Sequence, residues 1–135
     1  MSTYGPSRSL RALRGATSVS ADSGAEIVDA TAELLEIMLA RNGVDPSDIV
    51  SVIFTATPDI TAEFPAAAAR RVGMADVPLL CASEIAVVGA VERCIRVLMH
   101  LYTDREPAAL DHVYLRDARR LKSEGGRQPK GQGDS

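Results

Sequence analysis

The stretch SGAEIVDATAELLEIMLARNG, residues 23 to 43, constrains the fold more than any other part of the chain. Ile27, Thr31, Leu34, Leu35, Met38 and Leu39 recur at helical spacing, so the segment is expected to wind into a helix with one apolar face. Ser23 and Glu26 have capping-box spacing and Asn42-Gly43 supplies a stop, which sets the helix at about 24 to 41. An apolar helical face needs a second layer to cover it.

The flanking sequence supplies that layer as strands. IVSVIFTAT, 49 to 57, is rich in β-branched and aromatic residues, as a central strand should be, and Pro58-Asp59 ends it. Further strands are read at about 10 to 19, 77 to 83, 93 to 103 and 111 to 115, with Pro78 suiting the third in chain order to an edge or an entry position. FPAAAARRVG places Pro65 at a first turn, four alanines behind it and Gly73 as a stop, which predicts a short second helix ending on Arg70 and Arg71. RDARRL adds a final helical turn. The pattern is α+β: a mixed β-sheet with helices packed on one side, in one domain over 10–122, between a loose arm at 1–9 and a flexible tail at 123–135. The other sheet face is left to be covered, which points to self-association.

Charge and cysteine usage narrow the function classes. Fifteen Lys and Arg against eighteen Asp and Glu leave a net charge of -3, which gives no support to a nucleic-acid surface. No apolar run reaches the roughly 18 residues of a membrane helix, and MSTYGPSRSL lacks the apolar core of a secretory signal, so the expectation is a cytoplasmic protein without membrane contact. Cys81 and Cys94 are too few for a disulfide framework, and with His100 and His112 they show no metal-ligand spacing; no metal and no cofactor are implied.

Two arginines stand out against the strand patterns. In RCIRVLMHLYT, Arg96 shares a face with Cys94, Leu98 and His100, while Ile95, Val97, Met99 and Leu101 line the other; Arg14 likewise shares a face with Leu10, Ala12 and Ala16. A guanidinium cannot shed its charge, so burial would demand an anionic partner. Three answers are open at this point: a protein carboxylate such as Glu84, a solvated strand face, or a small dicarboxylate ligand gripped by Arg14, Arg96 and Arg70. Cys81, with no cation near it in sequence, reads as a core residue.

Taken together, R-G-A-T at 14 to 17, A-T-P-D at 56 to 59 with the following F-P, C-x-x-E at 81 to 84, C-I-R-V at 94 to 97 and H-V-Y-L at 112 to 115 resemble the monofunctional chorismate mutases of the trimeric α/β-barrel type. The resemblance spans about 10 to 122. It implies rearrangement of chorismate to prephenate, on the route to phenylalanine and tyrosine, in a homotrimer with sites between neighbouring subunits and a pseudo-α/β-barrel core. It further implies that Arg96 contacts the ether oxygen of chorismate and that Arg14 holds a carboxylate. Glu84 and Cys81 would face the ring and its hydroxyl, and Tyr114 would donate to the side-chain carboxylate. Phe64 and Arg70 would line the site, and the segment from Leu121 and Lys122 would help to close it. The chain departs from the pattern at Ala67, where some relatives carry lysine, and at Lys122, where arginine is common. Two rivals are an imine-hydrolysing deaminase on a similar trimeric fold and a non-catalytic anion-binding or regulatory module.

Overall fold

A computed structural model of the protein describes residues 8–125. The expected arm falls outside the described residues up to residue 7, and the expected tail does so beyond residue 125. The described chain forms strands β1 (Ser9–Ser18), β2 (Ile49–Ala56), β3 (Leu79–Ser83), β4 (Cys94–Thr103) and β5 (Val113–Tyr114), with helices α1 (Gly24–Asn42) and α2 (Arg119–Gly125). No helix among the described residues is long and apolar enough to cross a membrane.

The ends of α1 follow from its caps. Ser23 Oγ accepts the Glu26 backbone N–H at 3.3 Å, and Gly43 adopts φ 61, a left-handed stop that costs glycine little. The capping box is only half formed. The Glu26 carboxylate reaches to Ser20, accepting its backbone N–H at 2.6 Å, instead of returning to Ser23. The start of α1 is thereby tied to the end of β1.

The sheet is mixed, in the order β3-β2-β4-β1-β5. β4 runs antiparallel to both β1 and β2, while β2–β3 and β1–β5 are parallel pairs. Proline-preceded β3 does lie at an edge, and β2 is interior. One face of the sheet is closed by α1: Leu34, Leu35 and Met38 pack on Leu13, Phe54, Val97 and Met99, all buried in one cluster. A Cβ on Gly15 would run into Met38 Sδ and crowd Leu34 Cδ1, so any larger residue would force these α1 side chains to move. The R-G-A-T glycine therefore lets β1 press against α1.

The expected second helix, Pro65–Val72, is a 3₁₀ helix and not an α-helix. Its expected stop is observed: Gly73 adopts φ 78, and its N–H reaches Ala69 O and Arg70 O. Ala68 and Ala69 still bury against the same core as α1. α2 and the 3₁₀ turn before it, Arg116–Ala118, take the opposite side: Ala118 and Leu121 pack with Ala16, Cys94 and Val91.

Candidate active site

Arg14 and Arg96 both lie on the open face of the sheet, and both are exposed. Their apolar neighbours in sequence point the other way, into the α1 core, so neither guanidinium is buried. Arg96 sits opposite Thr55 on β2 and Ala16 on β1. Its Nε donates to Glu84 Oε2 and its Nη2 to Glu84 Oε1, each at 3.0 Å, a fork-to-fork pair that fixes the plane of the guanidinium. The carboxylate lies beneath the cation, with side-chain exposures of 15% for Glu84 and 50% for Arg96. Arginine carries five N–H donors and Glu84 engages two, so the remainder stay available on the open side.

Glu84 reaches this position from just past β3. Its backbone N–H donates to Ala56 O at 2.9 Å, and the Thr55 hydroxyl donates to its Oε2. The A-T-P-D segment performs a parallel task at the start of β4. The Thr57 hydroxyl donates to Asp59 Oδ1 at 2.5 Å and accepts the Cys94 N–H at 2.9 Å, while Asp59 Oδ2 accepts the Arg93 N–H at 2.9 Å. This is needed because Arg93 holds φ 45, a left-handed conformation unfavourable for a side chain of its kind. The motif thus fastens the strand that carries Arg96.

Arg14 is set from the other side. Its backbone N–H donates to His112 Nδ1 at 2.9 Å, and the short parallel pairing of β1 with β5 brings Tyr114 alongside Ala16. Burial of the His112 ring, and then the nearby Arg14 cation, hold its pKa below the ordinary imidazole value, which suits the unprotonated acceptor. Arg14, Thr55, Arg96, Tyr114 and Leu121 line one cavity of about 510 Å³. Behind it a space of about 90 Å³ is bounded by Glu84, Cys94, Arg120 and Leu121. Burial, followed by the Glu84 charge, pushes the Cys94 thiol up to about 11, so it remains a thiol. Two cations and one paired carboxylate leave this cavity suited to an anion.

A second region lies on the β3 side. Phe64, Arg70, Met74, Leu79 and Cys81 line a cavity of about 500 Å³, and Phe64 and Cys81 also border one of about 430 Å³ with Ile60 and Pro65. Phe64 is 70% exposed, a large apolar surface to leave in water. Cys81 is half-buried at the margin of the α1 core. Neither of these cavities includes Arg14, Arg96 or Tyr114. The structure therefore brings Arg14, Glu84, Arg96, Tyr114 and Leu121 together and keeps Phe64, Arg70 and Cys81 apart from them. Lys122 is exposed on α2 and lines none of these cavities.

Comparison with known proteins gives this arrangement its family. Residues 10–124 match the family model described as Chorismate mutase type I. The chain belongs to that family. It is 47% identical over 114 residues to Chorismate mutase AroH of Thermus thermophilus, covering 84% of this chain and 93% of that protein. It is 42% identical over 107 residues to Chorismate mutase AroH of Bacillus subtilis (strain 168), covering 78% and 84% respectively. Among solved structures, a chorismate mutase from Clostridium thermocellum superposes with a TM-score of 0.81 at 48% identity, over 82% of this chain and 99% of that one.

For a chorismate mutase family member, the physical sense of each motif is now visible in the contacts. Thr55 beneath Glu84 escaped the sequence reading, and Asp59 and His112, both inside quoted motifs, lacked the partners the contacts now give them, Arg93 and Arg14. The alternation of β2 puts Thr55 and Ile53 on one face, but only the register between β2 and β4 sets Thr55 opposite Arg96. That register is a long-range property, so the signal was half present. The Glu84–Arg96 pair was one of the open alternatives, and it coexists with a guanidinium still facing the cavity.

Proposed function

We propose that this chain converts chorismate to prephenate, in sites that form between the subunits of a homotrimer. The observation that carries the reading is the Arg96 guanidinium, held in plane by Glu84 and presenting its remaining N–H groups to a cavity shared with Arg14 and Tyr114. In the rearrangement an ether C–O bond breaks as a new C–C bond forms within the same molecule. The ether oxygen gathers negative charge on the way. A fixed cation beside that oxygen stabilises the transition state more than the bound substrate, which is the requirement for acceleration.

Arg96 takes the ether oxygen, Arg14 a carboxylate, and Tyr114 the side-chain carboxylate. Glu84 orients Arg96 and faces the ring hydroxyl, and Leu121 closes the apolar wall. Phe64, Arg70 and Cys81 serve the cleft of a neighbouring copy, with Lys122 at its margin. Their exposure and their separation from Arg96 within one chain support this division. No proton is transferred and no covalent intermediate forms, so the cavity needs no activated nucleophile. Electrostatics and capture of the reactive conformer must supply about 8 kcal/mol for a millionfold acceleration. One oxyanion-type donor contributes about 3 to 4 kcal/mol, so Arg96 acts with the other groups. The reading places the enzyme in the cytoplasm, where the two free thiols, Cys81 and Cys94, stay reduced.

The test is chorismate consumption by the purified chain with prephenate identified as product, alongside native mass spectrometry. Rapid conversion by a trimer is expected. A folded protein that leaves chorismate unchanged would sink the reading.

A further inference from the structure

Thr55 has a part in the site that neither its residue type nor its motif announces. It lies on β2 directly opposite Arg96 on β4, on the open face of the sheet, and it is half-buried against the floor of the 510 Å³ cavity. Its hydroxyl does not point its hydrogen at that cavity. It donates to Glu84 Oε2, the same oxygen that accepts Arg96 Nε–H. Glu84 is attached to the sheet by one backbone bond, to Ala56 O, just beyond the end of β3. Its side chain has three torsions, the last of them broad and weakly restrained.

We infer that Thr55 is a positioning residue, which locks the Glu84 carboxylate so that Arg96 presents its free N–H groups to the substrate in one orientation. The inference rests on the chorismate reading for its kinetic consequence, though not for the geometry. Threonine is suited to the task because its β-branched side chain is stiff at χ1, so its hydroxyl is aimed by the strand itself. Without that hydrogen bond, Oε2 keeps only the guanidinium, and carboxylate and guanidinium can swing together about the Glu84 torsions. The ion pair survives such a swing, but the direction of the remaining N–H groups does not. Hydrogen bonds to charged groups are among the stronger ones, and a catalytic donor is sensitive to small displacement. The loss should therefore fall on kcat.

The experiment compares Thr55→Val, which keeps shape and removes the hydroxyl, with Thr55→Ser, which restores it. Two readouts are taken on the full chain. The first is the Arg96 Nε–H resonance, assigned by its disappearance in Arg96→Lys, with its rate of exchange with water. The second is chorismate turnover. In Thr55→Val the resonance should shift and exchange faster, and kcat should fall about tenfold with KM little changed. Thr55→Ser should recover most of both. In a Glu84→Gln background the Thr55→Val change should add little further loss, because the group it orients has gone. A Thr55→Val protein with an unaltered resonance, or with an altered one and undiminished kcat, would overturn the inference. If the wild type proves inactive on chorismate, the functional reading fails, while the resonance still decides whether Thr55 holds the pair.

Discussion

The two halves of the candidate site are built to different standards. Around Arg96 the pieces are tied down locally: the Glu84 carboxylate by Thr55 and its backbone by Ala56, the start of β4 by Thr57 and Asp59, and the backbone at Arg14 by His112. On the β3 side, Phe64 is 70% exposed and Cys81 lies half-open beside a cavity that lacks a substrate cation other than Arg70 among its lining residues. One region is tied together within a single chain, and the other leaves a large apolar side chain in water and a thiol half-buried. Groups that stabilise a transition state must be fixed before the reaction, whereas groups that hold a substrate can be brought up by assembly.

The sharpest way to break this contrast is to remove a group from each half and compare the kind of loss. Arg96→Ala should lower kcat by about 10²- to 10³-fold while the trimer persists, because the donor acts in the transition state. Arg96→Lys should fail almost as badly, since a point charge cannot form the fork with Glu84 and still face the cavity. The pair Phe64→Ala and Arg70→Ala, made in one chain, should instead act chiefly on KM and lower kcat/KM by roughly ten- to a hundredfold. Steady-state kinetics with native mass spectrometry read both. Equal kcat losses from the two halves would erase the distinction.

A smaller effect concerns the anchoring of Arg14. The folded pKa of His112 lies below its ordinary value of 6.5, chiefly through burial. Above pH 6.5 the ring is neutral in both folded and unfolded chains and stability does not depend on it. As pH falls through 6.5 the unfolded chain takes up the proton first, so stability declines until the lower folded value is passed. Melting curves at pH 8 and pH 5.5 should show this loss. Its share should vanish in His112→Asn, which keeps an acceptor for the Arg14 N–H without the titration.

The smallest effect separates the two cysteines. Cys94, pushed up to about 11 and buried, should stay unlabelled by a thiol reagent at pH 8 in the folded protein. Cys81 should react in any dissociated subunit and become protected when the β3 region is covered. Labelling of Cys94 at the same rate would mean that the anchored half opens as readily as the other.

How much of this was legible in the sequence depends on the range of the interaction. The limits of α1 were readable because Ser23 and Gly43 act within one turn, and the face carrying Arg14 and Arg96 followed from alternation alone. The strand character of β3 was readable from composition, while Pro78 was consistent with an edge or an entry position and only the strand order shows the edge. The winding of Pro65–Val72 was not, because alanine content favours a helix without selecting which kind. Nor were the Thr55–Glu84 and Arg14–His112 contacts, which join residues 29 and 98 positions apart and depend on sheet register. The motifs marked where function lies, and the register shows how each piece supports the next.

The central claim is that the two halves of a site come from different copies of the chain, and complementation tests it most directly. Arg96→Ala protein and Phe64→Ala/Arg70→Ala protein, assayed at chorismate far below KM where both are impaired, would be unfolded together in equal amounts and refolded into mixed trimers, with mixing verified by native mass spectrometry. In a closed ring each site draws one half from each of two neighbours, so about a quarter of the sites should be wholly intact and activity on chorismate should rise to match. Mixed trimers no more active than the two variants measured apart would contradict the account, and would put the whole site within one chain.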